Sequence, residues 1–327
     1  MTRIHSSILA HGNRMNRRLV LSVPLPAMES AGLGADGIAA RLEQSVKVRG
    51  RVYRRRLQRC QKGFSTDSVH DLRIALRRLI AALTVLNAIV PVTRLNQAKQ
   101  WLKKQLKDLS QLRDAQIQLQ YVRGLEADHR ELRPFLAHLT QQESSLVREA
   151  EKRVCRIKPA RTMKRIKAGR RRFRRDFVAG ADSANPARPL RELVVSAYAG
   201  VRRCRCMVEA DAPKTLHRLR VALKKFRYMS EALQPVLPEI TAAQLKSMQR
   251  FQMSLGWIQD LRVLLDNLRA FVRRGSRRDA ALLRPIRQLL RRRLRSRVNG
   301  LLNSADRTIA AWAPPSVSTL VNPARGG

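Results

Sequence analysis

Two short segments of this sequence combine histidine with several basic residues at a repeated spacing. Residues 69–79 read VHDLRIALRRL and residues 216–226 read LHRLRVALKKF, so a histidine, an arginine and a basic pair recur in the same order. Guanidinium and ammonium groups carry positive charge and donate several hydrogen bonds, which suits them to phosphate and carboxylate oxygens. The two segments therefore predict the same chemistry twice, the binding of an anion.

The spacing within each segment is that of an amphipathic helix. At about 100° per residue, the histidine and the basic side chains fall on one face and the leucines on the opposite face. Like charges one turn apart destabilise an isolated helix, and a solvated surface usually mixes the two signs. A bound anion therefore explains the basic face better than solvent alone. The residues of this face are His70, Arg73, Arg77 and Arg78 in the first segment and His217, Arg220, Lys224 and Lys225 in the second.

The two histidines are expected to be neutral in the free protein. Each is predicted to lie in the first turn of its helix, beside two or more fixed positive charges. Both the helix N-terminus and those charges disfavour imidazolium. A bound anion would reverse this local field and raise the histidine pKa.

Other predicted helices supply further basic residues to the same site. A helix from about residue 95 to 125 has its leucines on one face and lysines on the other, and a helix from about 242 to 271 matches it. A first helix from about 37 to 63 has an apolar face with arginines largely away from it. These helices add Lys104, Lys107, Lys246, Arg250, Arg51, Arg54 and Arg55 to the candidate binding residues.

The sequence lacks the residue combinations that catalysis requires. Its histidines and cysteines are not at metal-ligand spacing, and no carboxylate pair is apparent for acid–base chemistry. Asp114 and Asp260 end the related motifs LSQLRD and LGWIQD, and each is expected to stand alone on a mostly basic face. They could orient a histidine or an arginine, or form ordinary helix salt bridges. We therefore expect a binding protein with no catalytic residues, metal or cofactor.

The whole chain is strongly basic. Its 327 residues include 67 Lys and Arg against 24 Asp and Glu, which gives a formal charge of +43. Self-repulsion of this size destabilises a compact fold unless counterions or an anionic partner relieve it. Arginine dominates the excess, and its planar guanidinium suits phosphate oxygens. The expected partner is a polyanion: polyphosphate, nucleic acid or an anionic membrane surface.

Helical periodicity and the recurrence of the basic segment in each half of the sequence predict the architecture. No stretch alternates for long enough to form a strand, and long amphipathic helices with short connections indicate helix bundles. We predict an all-α fold built from two copies of a domain-sized helical unit, with the junction near 180–189. The predicted boundaries are a disordered extension over 1–35, a first unit over 36–180, a second unit over 181–312 and a flexible tail over 313–327, with the role of the basic run at 158–178 unassigned.

The segments VHDLRIALRRL and LHRLRVALKKFRY resemble the two signature helices of the CHAD family, the conserved-histidine α-helical domains. The resemblance extends over about residues 36 to 312, which together would form one CHAD domain. It implies two four-helix bundles of long antiparallel helices related by a pseudo-twofold axis, with a basic central cavity that binds inorganic polyphosphate. It also implies a cytoplasmic protein that collects on polyphosphate granules. The Glu-x-Glu-x-Lys start of the CYTH-type triphosphatase domains often joined to CHAD domains is missing, which favours the binding module without that enzyme.

Nucleic-acid binding is the main alternative function. The charge suits it, and the Arg-rich runs at 164–175 and 291–297 would serve it. Aromatic residues, however, make up only 4% of the chain, too few for a base-stacking track. A membrane-surface role is less favoured, because the apolar helix faces are needed for a core.

The remaining features favour a reducing cytoplasm. Cys60, Cys155, Cys204 and Cys206 are few and scattered, which is typical of small core residues and not of a disulfide framework. No apolar run approaches the ~20 residues of a membrane span. Residues 14–25 have the charge order of a signal peptide, but two prolines interrupt the apolar part. We therefore expect a cytoplasmic protein.

Overall fold

The computed structural model describes residues 33–315 of the chain. Within them the fold is all-α, as predicted, and contains no strand. The signal-like segment, nearly all of the predicted N-terminal extension and most of the predicted tail lie outside the described residues. In chain order the α-helices are α1 (Ala35–Lys62), α2 (Thr66–Ile89), α3 (Thr93–Asp108), α4 (Ser110–Glu126), α5 (Arg133–Cys155), α6 (Ala160–Ala179), α7 (Arg188–Cys206), α8 (Pro213–Leu233), α9 (Ala242–Arg274), α10 (Arg277–Leu282) and α11 (Arg284–Ala310), with a 3-10 helix at Arg130–Leu132.

Helix α2 carries the first signature segment and has clear signals at both ends. Ser65 precedes it, and its hydroxyl accepts a hydrogen bond from the Ser68 amide, while the Ser68 hydroxyl accepts one from the Ser65 amide. The helix ends two residues before Pro91, because proline lacks an amide hydrogen and disfavours helical backbone before it. The leucines of the segment are all buried. The predicted apolar face of this helix is therefore confirmed.

The prediction of one continuous helix from about 95 to 125 is wrong, because the helix is interrupted at Leu109. Helix α3 ends one residue before Leu109 and α4 begins one residue after it. The Leu106 carbonyl accepts hydrogen bonds from the Ser110 hydroxyl at 2.9 Å and from Arg73 Nη1 at 3.3 Å. These side chains satisfy a carbonyl at the end of α3, where backbone partners run out. The matching helix α9 is continuous.

The basic run at 158–178 falls almost entirely within helix α6. Ile166, Phe173 and Phe177 are buried in the core, and the helix packs on α1 and α3. Most of its exposed side chains are basic. Helix α6 is therefore part of the packed structure, and the junction predicted near 180–189 falls largely in its connection to α7.

Gly169 allows the close approach of α6 to α3. A Cβ at this position would lie 2.6 Å from Cδ2 of Leu95, whose side chain is fully buried. We expect Gly169→Ala to destabilise the fold by about 1–3 kcal/mol through overpacking, although alanine is the better helix former. The matched control is Gly124→Ala in α4, where nothing lies within 4 Å of the added Cβ, and it should stabilise by up to about 1 kcal/mol. Urea unfolding measures both free energies, and equal effects would contradict the close packing.

The buried apolar side chains form two clusters. The larger cluster takes side chains from α1, α2 and α3 as well as from α7 and α8. The smaller cluster forms where α4 and the start of α5 meet the C-terminal half of α9 and the start of α11. Each cluster combines residues from both halves of the sequence. The division into two bundles at 180–189 thus stays a prediction, and the apolar packing does not separate there.

The helices that carry the two signature segments pack directly on each other. Helix α2 packs on α8, while α1 and α3 flank α2 and α7 and α9 flank α8. Helix α4 contacts both α2 and α9. This arrangement brings the basic faces of α2 and α8 close to the side chains of α4 and α9.

The four cysteines are free thiols and differ in exposure. Cys60 is buried, whereas Cys155 and Cys206 are exposed. The expectation that all four are core residues is therefore wrong for these two, which are the last residues of α5 and α7. Among the described helices, none is long and apolar enough to cross a membrane.

Candidate functional site

Basic side chains from three helices converge where α2 packs on α8. Arg73 and Arg77 of α2 act electrostatically on Lys224 of α8, and Arg77 also acts on Arg220. Arg77 also acts electrostatically on Arg113 of α4. Cations from both signature segments thus occupy one place in the fold. We call this set the basic cluster, and its members are Arg73, Arg77, Arg113, Arg220 and Lys224.

Two carboxylates lie beside the basic cluster. Asp114 of α4 interacts with Lys224, and Asp260 of α9 interacts with Arg113 and Arg220. Burial raises the pKa of Asp260 to about 6, Arg220 opposes this shift and Asp114 adds to it. The expectation that each aspartate stands alone is therefore wrong, because α4 and α9 pack together and bring the two within electrostatic reach.

Burial and crowding weaken the proton affinity of the lysine in the basic cluster. Removal from water, followed by the nearby cations Arg77, Arg220 and Arg73, lowers the pKa of Lys224 to about 7, against the opposing effect of Asp114. Burial likewise lowers the pKa of Arg220. A bound anion would favour the charged forms and reverse these shifts. The positive charge of the basic cluster is therefore only partly compensated by the nearby carboxylates.

Two donors of the basic cluster have no hydrogen-bond acceptor among the described residues. They are the buried Nη1 of Arg113 and the buried Nε of Arg220. A buried donor without an acceptor is unfavourable by about 1–3 kcal/mol, more when it is charged. An anion oxygen placed between these helices would relieve that penalty.

Arg73 has a structural task in addition to its charge. It is only 5% exposed, and its Nη1 donates to the Leu106 carbonyl and to the Ser110 hydroxyl, each at 3.3 Å. These bonds lie at the break between α3 and α4. Its counterpart Arg220 is half-buried on a helix whose neighbour α9 has no such break. Arg73 therefore stabilises the break between α3 and α4 by hydrogen bonds, whereas Arg220 has no such break beside it.

A basic pair follows each signature arginine, Arg77-Arg78 in α2 and Lys224-Lys225 in α8. The members of each pair have different surroundings. Arg78 lies at the junction of α1, α2 and α8, where its Nε is 2.6 Å from Oε1 of Glu231. Arg49 donates to the Glu231 carbonyl at 3.0 Å, and Arg227 lies 3.9 Å from the same carboxylate. Lys225 is exposed. The charge of Arg78 is thus compensated within the fold, whereas no described acidic residue forms an ion pair with Arg77.

The two signature histidines have different surroundings. His70 is half-buried, and burial together with Arg113 lowers its pKa to about 4, against the effect of Asp71. It is therefore neutral near pH 7, as the sequence predicts for this copy. His217 is exposed. Each histidine is the fifth residue of its helix, so both lie at the start of the second turn, just beyond the first turn in which they were expected.

The remaining predicted binding residues lie on exposed faces. Lys104 borders a cleft between α3 and α5 beside Trp101, and Lys107 is exposed three residues further along. The basic cluster, in contrast, consists of buried and half-buried side chains. The other exposed candidates are Lys246 and Arg250 on α9 and Arg51, Arg54 and Arg55 on α1.

Arg113 is a member of the basic cluster that the sequence pattern did not select. It precedes Asp114 in LSQLRD, but the matching motif LGWIQD has Gln259 in that place. A pattern that requires a basic residue in both halves therefore does not include Arg113. The feature of the sequence that points to it is its position next to Asp114, which does recur in the second half as Asp260.

These features define an all-α protein in which two related basic helices meet at one half-buried group of cations. Residues 51–269 match the family model of the CHAD domain, and the chain belongs to this family. The match includes both signature segments. A comparison with curated proteins finds no match.

Two solved structures share the fold over most of the chain. The CHAD domain from the plant Ricinus communis is 19% identical, with a TM-score of 0.62, and the alignment covers 87% of this chain and 96% of that one. PptA from Streptomyces chartreusis is 16% identical, with a TM-score of 0.53, over 83% of this chain and 98% of that one. At these identities the likeness shows the fold alone.

Proposed function

We propose that this protein binds inorganic polyphosphate in the basic cluster between α2 and α8. The observation that carries the proposal is the convergence of cations from both signature segments, which act on one another across the helix interface. Membership of the CHAD family supports the same ligand, because the signature helices of that family imply polyphosphate binding. The three elements α2, α4 and α8 would each contribute a cation to one phosphate chain.

The chemistry of polyphosphate suits this cluster. The polymer is a chain of phosphates with about one negative charge per unit and no bases, so closely spaced cations are sufficient to hold it. Guanidinium donors such as Arg113 Nη1 and Arg220 Nε would give charge-assisted hydrogen bonds to phosphate oxygens. Stacking groups are not needed, and aromatic residues are only 4% of the chain.

The proposed activity is binding without catalysis. Asp114 and Asp260 compensate part of the charge of the arginines and Lys224 in the free protein, and we assign them no acid–base role. Among residues 33–315, no group of three or more histidine, cysteine, aspartate or glutamate side chains is placed to hold a metal ion. We propose no cofactor for this site.

Direct titration tests the proposed function. Polyphosphate of defined chain length is titrated by calorimetry at physiological salt, in competition with duplex DNA and with RNA of matched charge. We expect one short chain per monomer, weak displacement by nucleic acid, and no release of orthophosphate. The log–log dependence of affinity on salt should have a slope of about −0.7 per phosphate contact. A flat salt dependence, or equal affinity for DNA, would overturn the proposal.

We also propose that the protein is cytoplasmic and collects on polyphosphate granules. This proposal follows from the family and from the ligand proposed above. A fluorescent fusion should form foci that disappear in cells unable to make polyphosphate. Foci that persist unchanged on the nucleoid in such cells would favour nucleic acid as the partner.

Nucleic-acid binding without sequence preference is the second candidate function. The observation that favours it is the set of exposed arginines on α11, with which no described acidic residue forms an ion pair; the set includes Arg291, Arg292 and Arg295. Such a row would contact phosphates along a nucleic-acid backbone. DNA binding that survives removal of the basic cluster and disappears with these arginines would assign that function to α11.

A further inference from the structure

Helices α3 and α5 enclose a cleft outside the basic cluster, with a volume of about 120 Å³. Two cations line it, Lys104 from α3 and Arg153 from α5. Arg153 pairs with Glu149 and lies 4.0 Å from Asp108, which also lines the cleft. No described acidic residue forms an ion pair with Lys104. The cleft therefore has a cation available to a ligand.

Gln105 also lines the cleft and has an unused donor. Its side chain is only 5% exposed, and its Oε1 accepts a hydrogen bond from the buried Tyr53 hydroxyl at 2.9 Å. This bond orients the amide and leaves Nε2 without an acceptor among the described residues. Because a buried donor without an acceptor is unfavourable, an oxygen atom bound in the cleft would stabilise this arrangement.

The size and the apolar part of the lining restrict the ligand further. Trp101, Leu109 and Val154 contribute apolar surface, and the last two are almost fully buried. Since a cavity of about 150 Å³ accommodates benzene, this cleft suits a molecule of similar or slightly smaller size. Orthophosphate is polar on every side and would place oxygens against these apolar walls without partners. A carboxylate with a short apolar body matches both parts of the lining.

We propose that this cleft is a binding site for a small carboxylate. The carboxylate group lies between Lys104, Arg153 and Nε2 of Gln105, and the apolar body packs against Trp101. The site is separate from the basic cluster and does not depend on polyphosphate binding. It borders Leu109, the residue at the break between α3 and α4.

Titration of the full chain with sodium propionate, sodium butyrate and orthophosphate at constant ionic strength tests this proposal. We expect propionate or butyrate to bind with 1:1 stoichiometry and more tightly than orthophosphate. Lys104→Met should weaken carboxylate binding about tenfold or more, because it removes a charge-assisted hydrogen bond. Lys107→Met is the matched control, since it makes the same change of charge on the same helix outside the cleft. It should leave carboxylate binding unchanged.

Three results would overturn the carboxylate site. The first is no carboxylate binding by the wild type, or tighter binding of orthophosphate. The second is equal loss of affinity in Lys104→Met and Lys107→Met, which would indicate a general charge effect. The third is loss of carboxylate binding in a variant that lacks Arg77, Arg220 and Lys224, because that result would place the ligand in the basic cluster. Retained binding in that variant supports the cleft.

Discussion

Replacing Arg77, Arg220 and Lys224 together with alanine should remove most of the polyphosphate affinity. Each side chain is expected to give a charge-assisted hydrogen bond worth about 1.5–3 kcal/mol, so their combined loss should weaken binding about a thousandfold or more. Calorimetric titration with short polyphosphate chains measures the effect. The three residues are chosen because they belong to the basic cluster and, unlike Arg73, they have no bond to the break between α3 and α4.

The matched control is Arg291, Arg292 and Arg295, replaced with alanine on α11. This variant loses the same formal charge but leaves the basic cluster intact, so polyphosphate affinity should fall only slightly. Circular dichroism and urea unfolding confirm that both variants fold. Equal losses in the two variants would show a general polyanion surface. Two independent binding events, one lost with Arg77 and the other with the α8 residues, would contradict a single shared site.

Lowering the pH from about 8 to about 6 should strengthen polyphosphate binding, with uptake of protons. In the free protein the pKa of Lys224 is about 7 and that of Asp260 is about 6. A bound polyanion favours the ammonium form of Lys224 and the neutral form of Asp260, so it raises both pKa values. Affinity therefore rises as pH falls through 7 and then through 6, by at most about tenfold per pH unit for each proton taken up.

Two variants separate the contributions to this pH dependence. Lys224→Arg keeps its charge at pH 8, so it should bind more tightly than wild type there and lose the dependence near pH 7. Asp260→Asn should lose the dependence near pH 6. Proton uptake is measured by calorimetry in buffers of different ionisation enthalpy, with Lys225→Arg as the exposed control. Uptake that is unchanged in both variants, but lost in His70→Gln, would assign the effect to histidine.

The helices could be predicted from sequence where local signals and periodicity agree. The start of α5 and that of α11 coincide with an Arg-Pro pair, and α2 ends just before Pro91. The break at Leu109 could not be predicted, because the apolar periodicity continues through it and no glycine or proline marks it. The hydrogen bonds that stabilise the break come in part from Arg73, which is distant in sequence. Such a tertiary contact leaves no local pattern.

The candidate site could be predicted in part, and the limits have physical reasons. The phase of the signature helix placed Arg73 and Arg77 on one face, and the repeat placed Arg220 and Lys224 on the matching face. The position of a residue around the helix does not distinguish a half-buried cation from an exposed one, so the pattern includes Lys225 as well as Lys224. The repeat does not indicate Arg113, because the second half has no arginine in the matching position. Which faces meet depends on packing between helices, which a single sequence does not show.

The division of the apolar side chains into two clusters has a consequence for the cooperativity of the fold. The smaller cluster joins α4 and the start of α5 to the C-terminal half of α9, and α4 is separated from α3 at Leu109. A unit of this kind can open locally without global unfolding, and its amides then exchange hydrogen sooner than those of α2. Arg113 and Asp114 lie at its border, between Leu112 of the larger cluster and Leu119 of the smaller one. An anion held by both α4 and α8 would therefore act as a clamp, because local opening would require its release.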